Sequence, residues 1–333
     1  MIKLKNIAER VGLGVSTVSA VLNGKEYCYV SESKKQLIHN TAREMGYVPN
    51  RMSRGIQGLP TNTIGIIGSL LSVPVNSSLI DQFSRLIDNH GYSAMLGDSR
   101  MEVAREKILI NEFLARGVDG LLIQSSMKRD ELEAAVKGRM PFICFGHDID
   151  GVDVTMDRCD GAFIAVEHLI TAHLHRKIGF VVRGKDTNLK KYNGYRMALE
   201  KYKIDYHEEC CFEILHELDA AGIAGEIISS GITAVFCAND FVAGYLIKGI
   251  ASAGKRVPED VAVVGFDGLD IICELIQPSL TSVRQPIESI ANQAFKLLMR
   301  KLNGEQLEDK TYYIDPVLRI AQSCGCNNKT DKF

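Results

Sequence analysis

Apolar residues follow two different rhythms along the chain. Up to about residue 47 they recur at helical spacing. Ile7, Ala8 and Val11 form one stripe, Val18, Val21 and Leu22 a second, and Leu37, Ile38 and Ala42 a third. Gly12-Leu13-Gly14 separates the first two stripes, and glycine takes φ > 0 there without steric cost. Ser16-Thr17 opens the second helix; Met45-Gly46-Tyr47, with Pro49 beyond, stops the third. Two short helices joined by a Gly-containing turn, here Lys5 to Leu22, make a helix-turn-helix pattern, although spacing alone also fits a plain helical hairpin. In the DNA-binding form of that motif the second helix enters the major groove. The three stripes predict a small all-α head over residues 1–47, closed around Ile7, Val11, Val18, Leu22, Leu37, Ile38 and Ala42.

Residues 48–62, VPNRMSRGIQGLPTN, hold two Gly and two Pro and read as a linker. From Thr63 the rhythm changes. Near-continuous apolar runs at 63–70, 92–96, 119–123 and 140–145 alternate with helical stretches at 79–89 and 102–116. The series then starts again, with helices at 161–171, 191–202, 240–252 and 287–302. Its strands fall at 177–182, 234–238, 261–266, 311–314 and 317–321. Apolar strands of this kind, separated by helices, predict parallel sheets covered on both faces. The expected class is therefore an all-α helix-turn-helix head followed by an α/β body of two doubly wound parallel-sheet lobes.

Ligands of open parallel sheets bind beyond the carboxyl ends of the strands. Polar residues just after predicted strands are Ser69, Ser72, Gln124, Ser125, His147, Asp148, Asn239 and Asp267. Ser, Asn and Asp side chains suit a hydroxyl-rich ligand. At Asn239-Asp240 the expectation is that Asp240 caps the next helix and Asn239 faces the ligand.

A chain of 333 residues predicts two or three domains. The net charge of −2 is uneven: residues 1–60 carry nine Lys/Arg against four Glu, so the remainder carries −7. A basic head on an acidic body fits nucleic acid at one end only. No apolar run approaches the ~20 residues of a membrane span, and the N-terminus lacks a signal-peptide core, so the cytoplasm is the expected compartment. The nine cysteines form no CxxC pair. Cys324-Gly325-Cys326 has no second Cys/His pair beside it in sequence, and His168, His173 and His175 lack HExxH spacing, so no metal and no cofactor is expected. Gly12-Leu13-Gly14-Val15-Ser16-Thr17 lacks the third glycine and a preceding strand of a dinucleotide fingerprint. GxxxxGK[ST] and GxSxG are absent. Nothing asks for an enzyme.

Several stretches in order resemble the LacI family of bacterial transcription repressors. They are IKLKNIAERVGLGVSTVSAVLNG, VSESKKQLIHNTAREMGYVPN, TNTIGIIG, RGVDGLLI, FCANDFVAG, VPEDVAVVGFDG and TSVRQPIE, spanning residue 2 to about 326. The resemblance implies a helix-turn-helix domain at 1–47, a hinge at 48–62, a two-lobed effector-binding and dimerisation body at 63–326, and a tail at 327–333. It implies three crossings between lobes, near 156, 284 and 316, with lobe 1 at 63–156 and 285–315 and lobe 2 at 157–284 and 316–326. Val15, Ser16 and Ala20 would face base edges. Thr17, Ser19, Asn23, Tyr47, Asn50, Arg51 and Arg54 would meet phosphates, and Ile56 would wedge into the minor groove. Asp267 matches the family's effector-binding Asp, and Lys191 stands where an Arg is usual, offering a point charge instead of a fork. Ala20 also replaces a frequent Arg, and Gly55, Gly58 and Pro60 make the hinge less helical than usual.

The implied protein is a homodimer on double-stranded operator DNA, probing a sugar or related small effector between its lobes. The competing class is a two-lobed sugar-binding protein without a specific DNA role. The basic head and the missing signal core favour the regulator.

Overall fold

The computed structural model describes residues 2–23, 30–47, 59–146, 151–326 and 330–331. The chain divides between Thr61 and Asn62 into two compact units.

The first unit holds α1 (Leu4–Val11), α2 (Val15–Leu22) and α3 (Glu32–Glu44). Gly12 ends α1 in the left-handed region at φ 66°, and Gly14 starts α2 in extended backbone. That pair turns the chain within three residues. At the end of α3, Gly46 lies at φ 64°. Its N–H donates to the Arg43 carbonyl and that of Tyr47 to the Ala42 carbonyl, closing the helix in a Schellman arrangement. Ile7, Ala8, Val18, Val21, Ile38 and Ala42 form the core, with Val11 and Leu22 partly buried against it. Leu37 differs from expectation. It is 49% exposed, because its neighbour Ile38 already fills the face of α3 that meets α1 and α2.

The second unit contains one parallel sheet and one mostly parallel sheet. The first runs β2 (Ser93–Asp98), β1 (Thr63–Gly68), β3 (Gly120–Ile123), β4 (Phe142–Cys144) across its width. β5 (Val154–Met156) pairs with β11 (Tyr312–Ile314), and a parallel bridge from Phe145 to Val154 joins that pair to β4. Around this sheet lie α4 (Pro74–Asn89), α5 (Val103–Arg116), α6 (Arg129–Val136) and α12 (Ile287–Leu302). The helix expected from 79 begins at Pro74, whose fixed φ suits the first helical turn.

The second sheet orders β13 (Thr330–Asp331), β12 (Val317–Ile320), β10 (Thr281–Arg284), β9 (Ala262–Asp267), β8 (Ala234–Cys237), β6 (Ile178–Arg183) and β7 (Cys211–Ile214). β12 is antiparallel to β10; β10, β9, β8, β6 and β7 run parallel. Its helices are α7 (Arg158–Thr171), α8 (Leu189–Lys201), α9 (Ala224–Ser229), α10 (Asp240–Ser252) and α11 (Asp270–Leu275). α7 and α8 pack so closely that a Cβ on Gly194 would lie 2.0 Å from the Cys159 carbonyl oxygen. Phe180 of β6 stacks between Tyr195 of α8 and Phe236 of β8 at ring separations of 5.5 and 5.3 Å, and the buried Tyr195 hydroxyl donates to the Ile178 carbonyl.

The chain passes between the two sheets three times. Asp157 alone links β5 to α7, Gln285-Pro286 links β10 to α12, and Asp315-Pro316 links β11 to β12. Met156 is level with Ile314, and Arg284 with Val317. The three passages therefore run side by side. Among the described residues, no helix is long and apolar enough to cross a membrane.

Candidate DNA-binding head and effector cleft

In the head, Val18 and Val21 turn α2 inward. At 100° per residue the opposite side carries Ser16, Ser19, Ala20 and Asn23, with Val15 and Thr17 at its edges. Val15 is 44% exposed and Ser16 exposed; Thr17, Ser19, Ala20 and Asn23 are half-buried. Asn23 closes the helix, its amide Nδ2 donating to the Ser19 carbonyl at 2.8 Å and to Ser19 Oγ at 3.2 Å. Tyr47 packs on the head core, and burial raises its phenol pKa. Asn50, Arg51, Arg54 and Ile56 lie outside the described residues, as do His147 and Asp148.

In the body, a cavity of about 590 Å³ opens between the two sheets, at the carboxyl ends of β3 and β9. From the first lobe come Asn76, Gln124, Ser125 and Ser126, with Leu79 and Ile290 as apolar wall. The second lobe brings Arg158, Asp186, Asn188, Lys191 and Asp267, and Gln285 stands in one of the passages between lobes. Among the described residues, no aromatic ring lines it.

Each polar group is held by its element. Gln124 accepts from the Ser69 backbone N–H at 3.2 Å and donates to Asn76 Oδ1 at 3.2 Å, while Asn76 Nδ2 donates to the Ser69 carbonyl at 2.5 Å. Behind the loop after β3, the fully buried Glu106 accepts from Ser125 Oγ and, at 3.0 Å, from the Ser126 N–H. Burial pushes its carboxyl pKa up. Ser126 Oγ is buried and has no hydrogen-bond partner among the described residues. An unpaired buried hydroxyl costs about 1–3 kcal/mol, which a ligand could recover.

Asp267 ends β9 at φ 115°, a backbone region that non-glycine residues seldom occupy. It is held there by Gln285, whose side-chain Nε2 donates to Oδ1 at 2.8 Å and whose backbone N–H donates to the carbonyl. Burial raises the Asp267 pKa, and the Lys191 ammonium opposes this. Lys191 Nζ donates to the Ala238 carbonyl at 2.6 Å and sits 3.9 Å from the Phe266 ring centre. Burial pushes its pKa down to about 8, against the pull of Asp267.

Three expectations need correction. Asn239 does not line the cavity: its Oδ1 caps α10, accepting from the Val242 N–H at 2.8 Å. Asp240, expected as that cap, is fully buried instead. It accepts from the Leu269 N–H at 2.7 Å and from Ser282 Oγ at 2.5 Å, in space that Gly265 leaves open. The cap falls to Asn239 because the N-cap is the last non-helical residue, and that is Asn239, in extended backbone. Ser69 and Ser72 do not line the cavity either. Ser69 is fully buried and serves Gln124 and Asn76 through its backbone, and Ser72 faces outward. Asn76, Arg158, Asp186, Asn188, Ser126 and Gln285 lie at the cavity without having been expected there. Most sit on helix starts and crossings, whose convergence depends on how the lobes meet.

The Cys/His expectation also changes. His168 and His173, far in sequence from Cys324 and Cys326, lie beside them in space.

Comparison with known proteins agrees with this architecture. Residues 3–50 match the family of bacterial regulatory proteins, lacI family, and residues 166–324 match the periplasmic binding protein-like domain. The HTH-type transcriptional repressor PurR of Vibrio atlanticus (strain LGP32) is 27% identical over 326 residues, covering 95% of this chain and 96% of that protein. A solved complex of the transcriptional regulator CelR with cellobiose is 26% identical, covers 97% of this chain and all of that one, and superposes with a TM-score of 0.69. The lac repressor dimer bound to operator and the anti-inducer ONPF shares the fold, with a TM-score of 0.85, 22% identity and coverage of 97% and 99%. The chain thus joins a DNA-binding head that matches the lacI family of bacterial regulatory proteins to a periplasmic-binding-protein-like body, the make-up of an effector-controlled DNA-binding transcriptional regulator.

Proposed function

We propose that this regulator is a cytoplasmic homodimeric repressor acting on a near-palindromic operator, with a sugar or related polyhydroxylated metabolite as its effector. The proposed division is a head at 1–47, a hinge at 48–62 and a body at 63–326. Within the body, lobe 1 is 63–156 with 285–315, and lobe 2 is 157–284 with 316–326. The carrying observation is the convergence of Asn76, Gln124, Ser126, Asp267 and Gln285 from both lobes on one cavity. Amides and carboxylates each engage neighbouring hydroxyls, and the volume of about 590 Å³ suits a small ligand. The cellobiose in the CelR complex supports the same ligand class.

On DNA, Val15, Ser16 and Ala20 would meet base edges, and Thr17, Ser19, Asn23 and Tyr47 the phosphates. Asn50, Arg51 and Arg54 would add phosphate contacts around an Ile56 wedge. Effector binding would alter the angle between lobes and so the separation of the two hinges of a dimer. Such a ligand acts only through its preference for one lobe arrangement over the other.

The test is selection of bound duplexes from a random DNA library by the purified protein at physiological salt. A two-fold symmetric motif with half-sites about one helical turn apart is expected. Enrichment of an asymmetric motif, or of none with and without pooled sugars, would refute the reading. With the operator in hand, Asp267→Asn should keep DNA affinity and abolish the sugar response.

A further inference from the structure

We propose a transition-metal site of the Cys2His2 type on the second lobe, built from His168, His173, Cys324 and Cys326 and suited to Zn²⁺. None of these residues lines the effector cavity. His168 stands on the last turn of α7, and His173 on the turn that follows. Beyond β12, a short helical turn at Gln322–Cys324 carries one thiol, and Gly325 at φ 107° swings Cys326 back onto the same side. Only glycine suits that position, because a Cβ there would approach the His173 Nδ1 to 3.1 Å as well as strain the backbone.

The four ligand atoms lie within 4.8 Å of one another. His168 Nε2 is 3.4 Å from Cys324 Sγ and 3.8 Å from Cys326 Sγ, and His173 Nε2 is 3.4 Å from Cys326 Sγ. Metal–ligand distances of about 2.3 Å for sulfur and about 2.0–2.1 Å for nitrogen, at tetrahedral angles, put ligand atoms roughly 3.3–3.8 Å apart. Three of the edges therefore already have the dimensions of an occupied site. Thr281 Oγ1 lies 3.1 Å from Cys324 Sγ, placed to donate to a thiolate as an outer-shell partner.

Four protein ligands leave no open position, so the site is structural and not catalytic. Binding releases the two thiol protons to solvent as two metal–sulfur bonds form. The bound ion ties the end of β12 to α7, two elements of the second lobe joined by a long intervening chain that passes through the first lobe.

The experiment uses the full-length protein without an affinity tag, stripped with chelator under reductant, then titrated with Co²⁺ and next with Zn²⁺. A thiolate-to-cobalt charge-transfer band and intense visible bands of a tetrahedral ion should saturate at one equivalent per chain and bleach with Zn²⁺. The melting temperature should rise with Zn²⁺. Cys326→Ser and His173→Gln, at half-buried positions, should each weaken Zn²⁺ binding at least about tenfold while keeping the metal-free melting temperature and operator binding. A weak six-coordinate cobalt spectrum would overturn the proposal. So would charge-transfer bands unchanged in both variants, which would assign the metal to other cysteines.

Discussion

Lys191 is a cation kept in a place that disfavours charge. In the unfolded chain its pKa is near 10.4, and burial brings it down to about 8 in the fold. A shift of that size corresponds to about 3 kcal/mol of folding stability withheld at neutral pH. Below pH 8 both states are protonated and the full cost applies. Between about 8 and 10.4 the unfolded chain binds more protons, so this contribution to stability rises with pH. Lys191→Met should therefore raise the melting temperature most at pH 7, with the advantage shrinking towards pH 10, and should alter the effector response. A pH-independent difference would show that Lys191 keeps its proton in the fold across this range, with its pKa not lowered. The residue scale also shows where sequence reading ran out. Asn239 and Asp240 were both visible as polar residues after a strand, and only the helix start decides which one caps and which one is buried.

Elements were more legible than residues. α2, β1, β9 and α12 announce themselves by long apolar runs or clean periodicity. β7, whose residues alternate between buried and exposed at the sheet edge, does not, and β5, with three residues, carries too short a pattern. α6 is short and rich in charge, and α11 has only six residues, so their stripes are weak. Close contact between elements is encoded in glycines. Gly194→Ala should cost at least about 1–3 kcal/mol, since the added carbon meets backbone of α7 at 2.0 Å. Gly225→Ala, in α9 with nothing within 4 Å of the new atom, should instead stabilise by about 0.5–1 kcal/mol. Thermal unfolding of the pair checks both signs. On α2, Ala20 offers a methyl where an Arg would reach guanine O6 and N7. Ala20→Arg should shift the selected half-site towards guanine, and an unchanged preference in the same duplex selection would remove Ala20 from the base-reading face.

At the scale of the molecule, the basic head, the two βα series and the family resemblance were all readable from the chain. The meeting of distant parts was not. His168 and Cys324 are 156 positions apart and touch only because α7 packs beneath β10 and β12. The cavity likewise exists only because the lobes face each other across three passages. Those passages total five residues: Asp157, Gln285, Pro286, Asp315 and Pro316. Each is already engaged or stiffened: Asp157 caps α7 with its carboxylate, Gln285 holds Asp267, and the two prolines fix φ. Mechanically this is a hinge with three knuckles in a row. It resists shear and twist between the lobes and leaves bending as its soft motion. Because Gln285 is both a knuckle and part of the cavity wall, a ligand bound at Asp267 applies its torque at the pivot itself, with no intervening lever.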